Sequence, residues 1–166
     1  MRKLLLIAGL TAFAIACGAP ANTTNTNSTA SSSSAPATVS STPVAPASPL
    51  SSLKASVGKT AVDIKLWDNK DVGPRLEKLM GADYATMKKF WGTESPIKAD
   101  SDVLMMSGCE PHNCGANQYV IFIDTARDNI NVVHIKNGVA KDYKEKGDIP
   151  LPKQFADELS ALKPGK

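Results

Sequence analysis

The residue types that could do chemistry are gathered in one run, Ser107-Gly108-Cys109-Glu110-Pro111-His112-Asn113-Cys114-Gly115. Two cysteines with four residues between them can form a disulfide in an oxidising compartment, which would close a six-residue loop. Gly108 and Gly115 would supply the backbone freedom to enter and leave a tight ring, and Pro111 fixes one φ inside it. The expected product is a stiff finger with Glu110, His112 and Asn113 as polar tips. Such a loop can bind with little further loss of loop entropy. Its chemistry would be recognition. Zinc is not expected, because two thiols and His112 within six residues are too cramped and paired thiols do not ligate. A redox role is not indicated either, since the spacing is not Cys-x-x-Cys. The chain shows no Ser-His-Asp pattern, no Gly-rich phosphate loop and no acid/base pair of carboxylates, so it is not read as an enzyme and no cofactor is expected. His134 falls within a strand and reads as a packed or surface residue. The plainer reading of the loop is a staple between two strands, with His112 an incidental solvent residue.

The elements that must position this loop are legible from periodicity. Pro74 to Met80 reads as a short helix with Leu76, Leu79 and Met80 on one side and Gly81 as its stop. Ala82 to Trp91 reads as a second, with Tyr84, Met87, Phe90 and Trp91 at helical spacing and expected in the core. Asp102 to Ser107 is a short strand leading into Cys109, and Gln118 to Asp124 is a strand rich in aromatic and β-branched residues. Asn131 to Lys136 should pair with it across a turn at Ala126 to Asn129. Asn137-Gly138 is a hairpin signal, since both turn positions tolerate positive φ, and Val139 to Tyr143 returns. Pro152 opens a last helix with Phe155, Leu159 and Leu162 as its apolar stripe, ending at Pro164. The fold class is α+β: an antiparallel meander flanked by helices, with the closed loop protruding.

Charge is distributed unevenly along the 166 residues. After Arg2 and Lys3 no charged residue occurs before Lys54, so 17 of the 19 basic and all 16 acidic residues lie in the C-terminal part. That part is nearly neutral, with Lys dispersed among Asp and Glu, which argues against nucleic-acid binding and against a polybasic membrane surface. It is long enough for one hydrophobic core and not for two. Residues 18–52 are almost entirely Ser, Thr, Ala, Asn and Pro, cannot bury enough surface to offset ordering, and are expected to be a disordered tether with a reach of roughly 30 Å. Arg2 and Lys3, the apolar run Leu4 to Ile15 and the small Ala16 have the form of a signal peptide, too short to remain as a membrane span. The expected organisation is a signal peptide over 1–16, Cys17 with its linker over 17–52, and a domain over 53–166.

Two resemblances extend this reading. Ala14-Ile15-Ala16-Cys17-Gly18 resembles the lipobox of bacterial lipoproteins, which implies lipidation of the Cys17 sulfur, cleavage before Cys17 and acylation of the new amine. Ala14 stands where that family favours Leu. Two or three acyl chains anchor stably where one does not, and Gly18 after the cysteine implies outer-membrane sorting. With Cys17 so used, Cys109 and Cys114 are left to pair. Cys109 to Gly115, with a strand on each side, resembles the inhibitor of vertebrate lysozyme (Ivy) family, whose loop reads Cys-Lys-Pro-His-Asp-Cys. The similarity runs from about Asp100 to Ile135. Taken with the export signal, which places the domain in the periplasm, it implies an inhibitor whose loop residues Glu110, Pro111, His112 and Asn113 enter the cleft of c-type lysozyme, with His112 matching the histidine that meets the catalytic carboxylates. Asn113 replaces an Asp and Glu110 a Lys, so the loop differs in charge. Glu110 would repel the catalytic carboxylates or favour lysozyme's basic rim. Two other readings remain open: a regulator of the cell's own lytic transglycosylases, and a structural envelope lipoprotein. Oligomeric state is also open, a homodimer included.

Overall fold

The computed structural model describes residues 47–163. The expected signal peptide, Cys17 and the expected linker as far as residue 46 lie outside the described residues. Folding starts before the expected boundary at 53. Pro49–Ser56 is a 3-10 helix whose N-cap Ser48 side chain accepts a hydrogen bond from the Leu50 amide. It buries Leu50 completely and Leu53 almost so. The Ser/Ala/Pro composition of this stretch points to a tether, but two leucines one turn apart are enough to dock it on the core. A second 3-10 turn, Leu66–Asp68, buries Leu66 and leads to helix α1, Gly73–Met80. Pro74 sits at the start of α1, where its missing N–H costs nothing, and Gly81 ends it at φ 56°. Helix α2, Asp83–Phe90, follows at once.

The sheet is a six-stranded antiparallel arrangement among the described residues: β1 (Thr93–Glu94), β2 (Lys98–Asp100), β3 (Val103–Cys109), β4 (Asn117–Asp124), β5 (Asn129–Lys136) and β6 (Val139–Lys144). The order is β1-β3-β4-β5-β6, and β2 also pairs with β3, so β1 and β2 share one edge. The expected meander is β3 to β6. The Asn137–Gly138 turn joins Lys136 to Val139, its two residues at φ 49° and 78°, as a type I′ turn requires. The two edge pieces β1 and β2 were not legible, being only two and three residues long.

Both faces of the sheet are covered. Leu104, Met106, Tyr119, Ile121, Ile123, Ile130 and Val132 face one core with α1, α2 and the 3-10 segments. Val103, Met105, Val120, Phe122, Val133 and Ile135 face a second core, capped by Phe155 of helix α3, Lys153–Leu162. This accounts for the near-continuous apolar run in β4, because a strand covered on both sides has no solvent face to alternate with. Arg75 of α1 ties the far end together. It donates to both Glu145 oxygens at 2.8 and 2.6 Å and to Asp128 at 2.8 Å, a planar fork matched to planar carboxylates. No helix among the described residues is long and apolar enough to cross a membrane.

Candidate binding site at the Cys109–Cys114 loop

Strands β3 and β4 pair from Val103↔Asp124 up to Cys109↔Gln118, and the loop is the connection at the upper end. Cys109 and Cys114 are joined by a disulfide with their Cα atoms 4.9 Å apart. Inside the ring the Asn113 amide donates to the Glu110 carbonyl at 2.9 Å, which makes Glu110-Pro111-His112-Asn113 a hydrogen-bonded turn. Proline in its second position and a positive φ in its third are what a type II turn calls for. That third residue is His112, at φ 63°. A left-handed conformation in a residue other than glycine costs roughly 1–2 kcal/mol, and it persists only where the surroundings impose it. Here the ring and the turn impose it. Pro111, His112 and Asn113 are exposed, and among the described residues no group hydrogen-bonds the His112 imidazole.

The loop rests on the end of α2 and β1. The Gly92 amide donates to the Cys109 carbonyl at 3.2 Å, and a Cβ at Gly92 would come within 2.5 Å of the Pro111 ring. Trp91 lies flat against Gly108, where a Cβ would approach its ring to 2.2 Å. Its indole N–H donates to Glu94 at 2.9 Å and its ring meets Trp67 edge-on at 5.1 Å. Gly108 therefore has a different purpose from the one expected. Neither Gly108 nor Gly115 has a positive φ. Gly108 is small so that Trp91 can pack, while Gly115 has open space around it.

Glu110 also departs from expectation. It is half-buried, not a free tip, and its carboxylate accepts from the Asn113 side chain at 2.7 Å and from the Asn117 side chain at 3.4 Å. Its carboxylate is thus hydrogen-bonded at the base of the loop. His134 is packed, as expected. Its ring stacks on Tyr119 with centroids 4.1 Å apart and planes 10° apart, and its Nε2 lies 2.7 Å from the Asn117 Oδ1. Burial pushes the His134 imidazole below its ordinary pKa, which favours the neutral ring. Asn117 and Gly92 were missed in the sequence, and Trp91, buried as expected, was not linked to the loop. Strand-edge Asn and a Trp-Gly step carry no motif, and only their neighbours in space give them a role.

The domain is an α+β sheet covered on both faces, and it presents one sulfur-closed turn with an exposed His112 imidazole at the end of β3 and β4. The family model for inhibitor of vertebrate lysozyme (Ivy) matches residues 71–165, more than half of the chain. The chain belongs to the Ivy family, a family of lysozyme inhibitors and not of enzymes. No curated protein and no solved structure matches it.

Proposed function

We propose that this chain is a lipid-anchored, periplasmic inhibitor of c-type lysozyme that blocks the enzyme by placing the Cys109–Cys114 loop in its cleft. Family membership supports lysozyme as the partner. The single observation that carries the mode of action is the setting of His112: exposed, at φ 63°, at the third position of a turn locked inside a disulfide ring. Lysozymes cut glycan with a carboxylic acid and a carboxylate flanking the scissile bond. An imidazole between them can donate to one of the pair, and the ring behind it excludes substrate. Occupancy suffices, and no reaction is needed. The Glu110 carboxylate keeps its charge and is hydrogen-bonded by Asn113 of the loop and Asn117 of β4.

The lipid anchor rests on Cys17 and the residues before it. Among the described residues, the chain enters the fold far from the loop. Ser48 donates to Asp128 at 3.1 Å and Ser51 to the Thr125 carbonyl at 3.4 Å, so the entry lies at the β4–β5 turn. The loop is at the other end of β4, roughly 24 Å away at about 3.4 Å per residue. Outer-membrane placement follows the Gly18 rule.

The test is lysis of a peptidoglycan suspension by c-type lysozyme, with the chain made soluble by Cys17→Ser. Stoichiometric inhibition that disappears in His112→Ala is the expected result. Equal inhibition by the variant would overturn the insertion, and no inhibition by the parent would overturn the target. A parallel assay with a lytic transglycosylase distinguishes the alternative enzyme class.

A further inference from the structure

Sulfur bridging closes the loop but does not by itself fix how the turn sits on the sheet. A second set of contacts does. Asn117, the first residue of β4, is only 6 % exposed. Its amide N–H donates to the Asn113 carbonyl at 3.0 Å, and its carbonyl accepts from the Glu110 amide at 3.2 Å. Its side chain reaches both ways. Nδ2 donates toward the Glu110 carboxylate, and Oδ1 accepts from His134 Nε2. The Glu110 oxygen that faces Asn117 also receives the Asn113 side chain. This polarity is forced, because a carboxylate can only accept and so must face the amide nitrogens. Asn117 then turns its oxygen to the imidazole, which requires a proton on His134 Nε2. His134 is held in turn by its stack on Tyr119, a wholly buried residue of β4.

We infer that Glu110, Asn117 and His134 are positioning residues for inhibition, forming a hydrogen-bonded relay from the sheet that holds the His112 turn in one orientation. This rests on the reading of His112 as the inserted group. The physical argument is preorganisation: a turn already held in its bound shape loses little freedom on association, so complexes dissociate more slowly. It also gives Glu110 an internal task, with the negative charge at 110 matched to an amide donor at 113. A carboxylate at 113 would face another at hydrogen-bond distance, and the turn would open.

The experiment is a double-mutant cycle on the full chain carrying Cys17→Ser, with lysozyme binding followed by surface plasmon resonance. Asn113→Asp should weaken binding at least tenfold, mainly in the dissociation rate. Adding Glu110→Gln should restore it to within about threefold, because the new amide donates to the new carboxylate. Asn117→Ala should likewise speed dissociation at least tenfold, and hydrogen exchange at the Asn113 and Ala116 amides should accelerate while the β3–β4 ladder stays protected. Protection of that ladder shows that the variant is folded. The inference is overturned if Asn113→Asp binds like the parent, if the double variant is no tighter than Asn113→Asp, or if exchange in Asn117→Ala is unchanged. His112→Ala runs alongside. Wild-type binding by His112→Ala refutes the insertion reading itself, whereas lost binding there with no coupling between 110 and 113 refutes only the relay.

Discussion

Changing His112 to glycine separates what the imidazole does from what the turn needs. The residue sits at φ 63°, where a side chain costs roughly 1–2 kcal/mol and glycine costs nothing. Glycine adds back about 0.5–1 kcal/mol through the freedom it gives the unfolded chain. The net change in stability is then between zero and about 1.5 kcal/mol in the stabilising direction, or a rise in Tm of no more than about 10 °C for a domain of this size. Affinity behaves differently. One hydrogen bond to a charged group contributes about 1.5–3 kcal/mol, and an exposed side chain driven into a cleft is desolvated as a hot spot worth about 2–4 kcal/mol. A loss of about 3 kcal/mol raises Kd more than a hundredfold. Calorimetry of unfolding and titration of lysozyme lysis, run on His112→Gly and the parent, read the two quantities independently. Retained or raised Tm with inhibition lost supports the assignment. Inhibition within threefold of the parent would refute it, and a large fall in Tm would refute the claim that the turn imposes the left-handed backbone.

Other outcomes follow from the packing and the charges. Leu50→Ala should cost about 2–5 kcal/mol, as for a fully buried leucine, read as a lower urea midpoint; no effect would return residues 48–52 to the tether. Gly108→Ala drives a methyl to 2.2 Å from the Trp91 ring and should destabilise by about 1–3 kcal/mol, the usual overpacking penalty, with a change in tryptophan fluorescence as the ring moves. Asp128 is held down to about 2 by the hydrogen bond from the Lys146 ammonium, with Arg75 adding to it. Because its folded value is depressed, this stabilisation is complete above its ordinary value near 3.8 and is lost as pH falls toward about 2. Urea midpoints should therefore drop across that window, and the drop should shrink in Asp128→Asn; an unchanged pH profile in that variant would contradict the assignment.

Much of this fold was legible because its main elements carry strong local signals. Leu76 and Met80 mark a helical face that Gly81 closes, and Asn137-Gly138 fixes a two-residue turn whose strands then follow. The loop was legible as a ring because cysteine spacing is explicit in sequence. What stayed hidden has no period. The segment from Leu50 to Val72 is built of two 3-10 pieces joined by irregular turns, whose few buried residues are set by contacts far along the chain, and β1 and β2 are too short to alternate. The inward turn of Glu110 depends on Asn117, seven residues later, and on His134 in the next strand. Neither distance leaves a trace in composition. Gly108 shows the same limit in another form: its smallness is dictated by Trp91, which arrives from α2, and not by the ring it precedes.

On the proposed mode of action, the loop and the substrate compete for one cleft. Titrating the Cys17→Ser chain into c-type lysozyme already saturated with a short chitin oligosaccharide decides whether they do. Competition predicts an apparent Kd that rises in proportion to the oligosaccharide concentration, with the sugar displaced at saturation. A ternary complex, with inhibitor bound at unchanged affinity while the oligosaccharide stays in place, would contradict it.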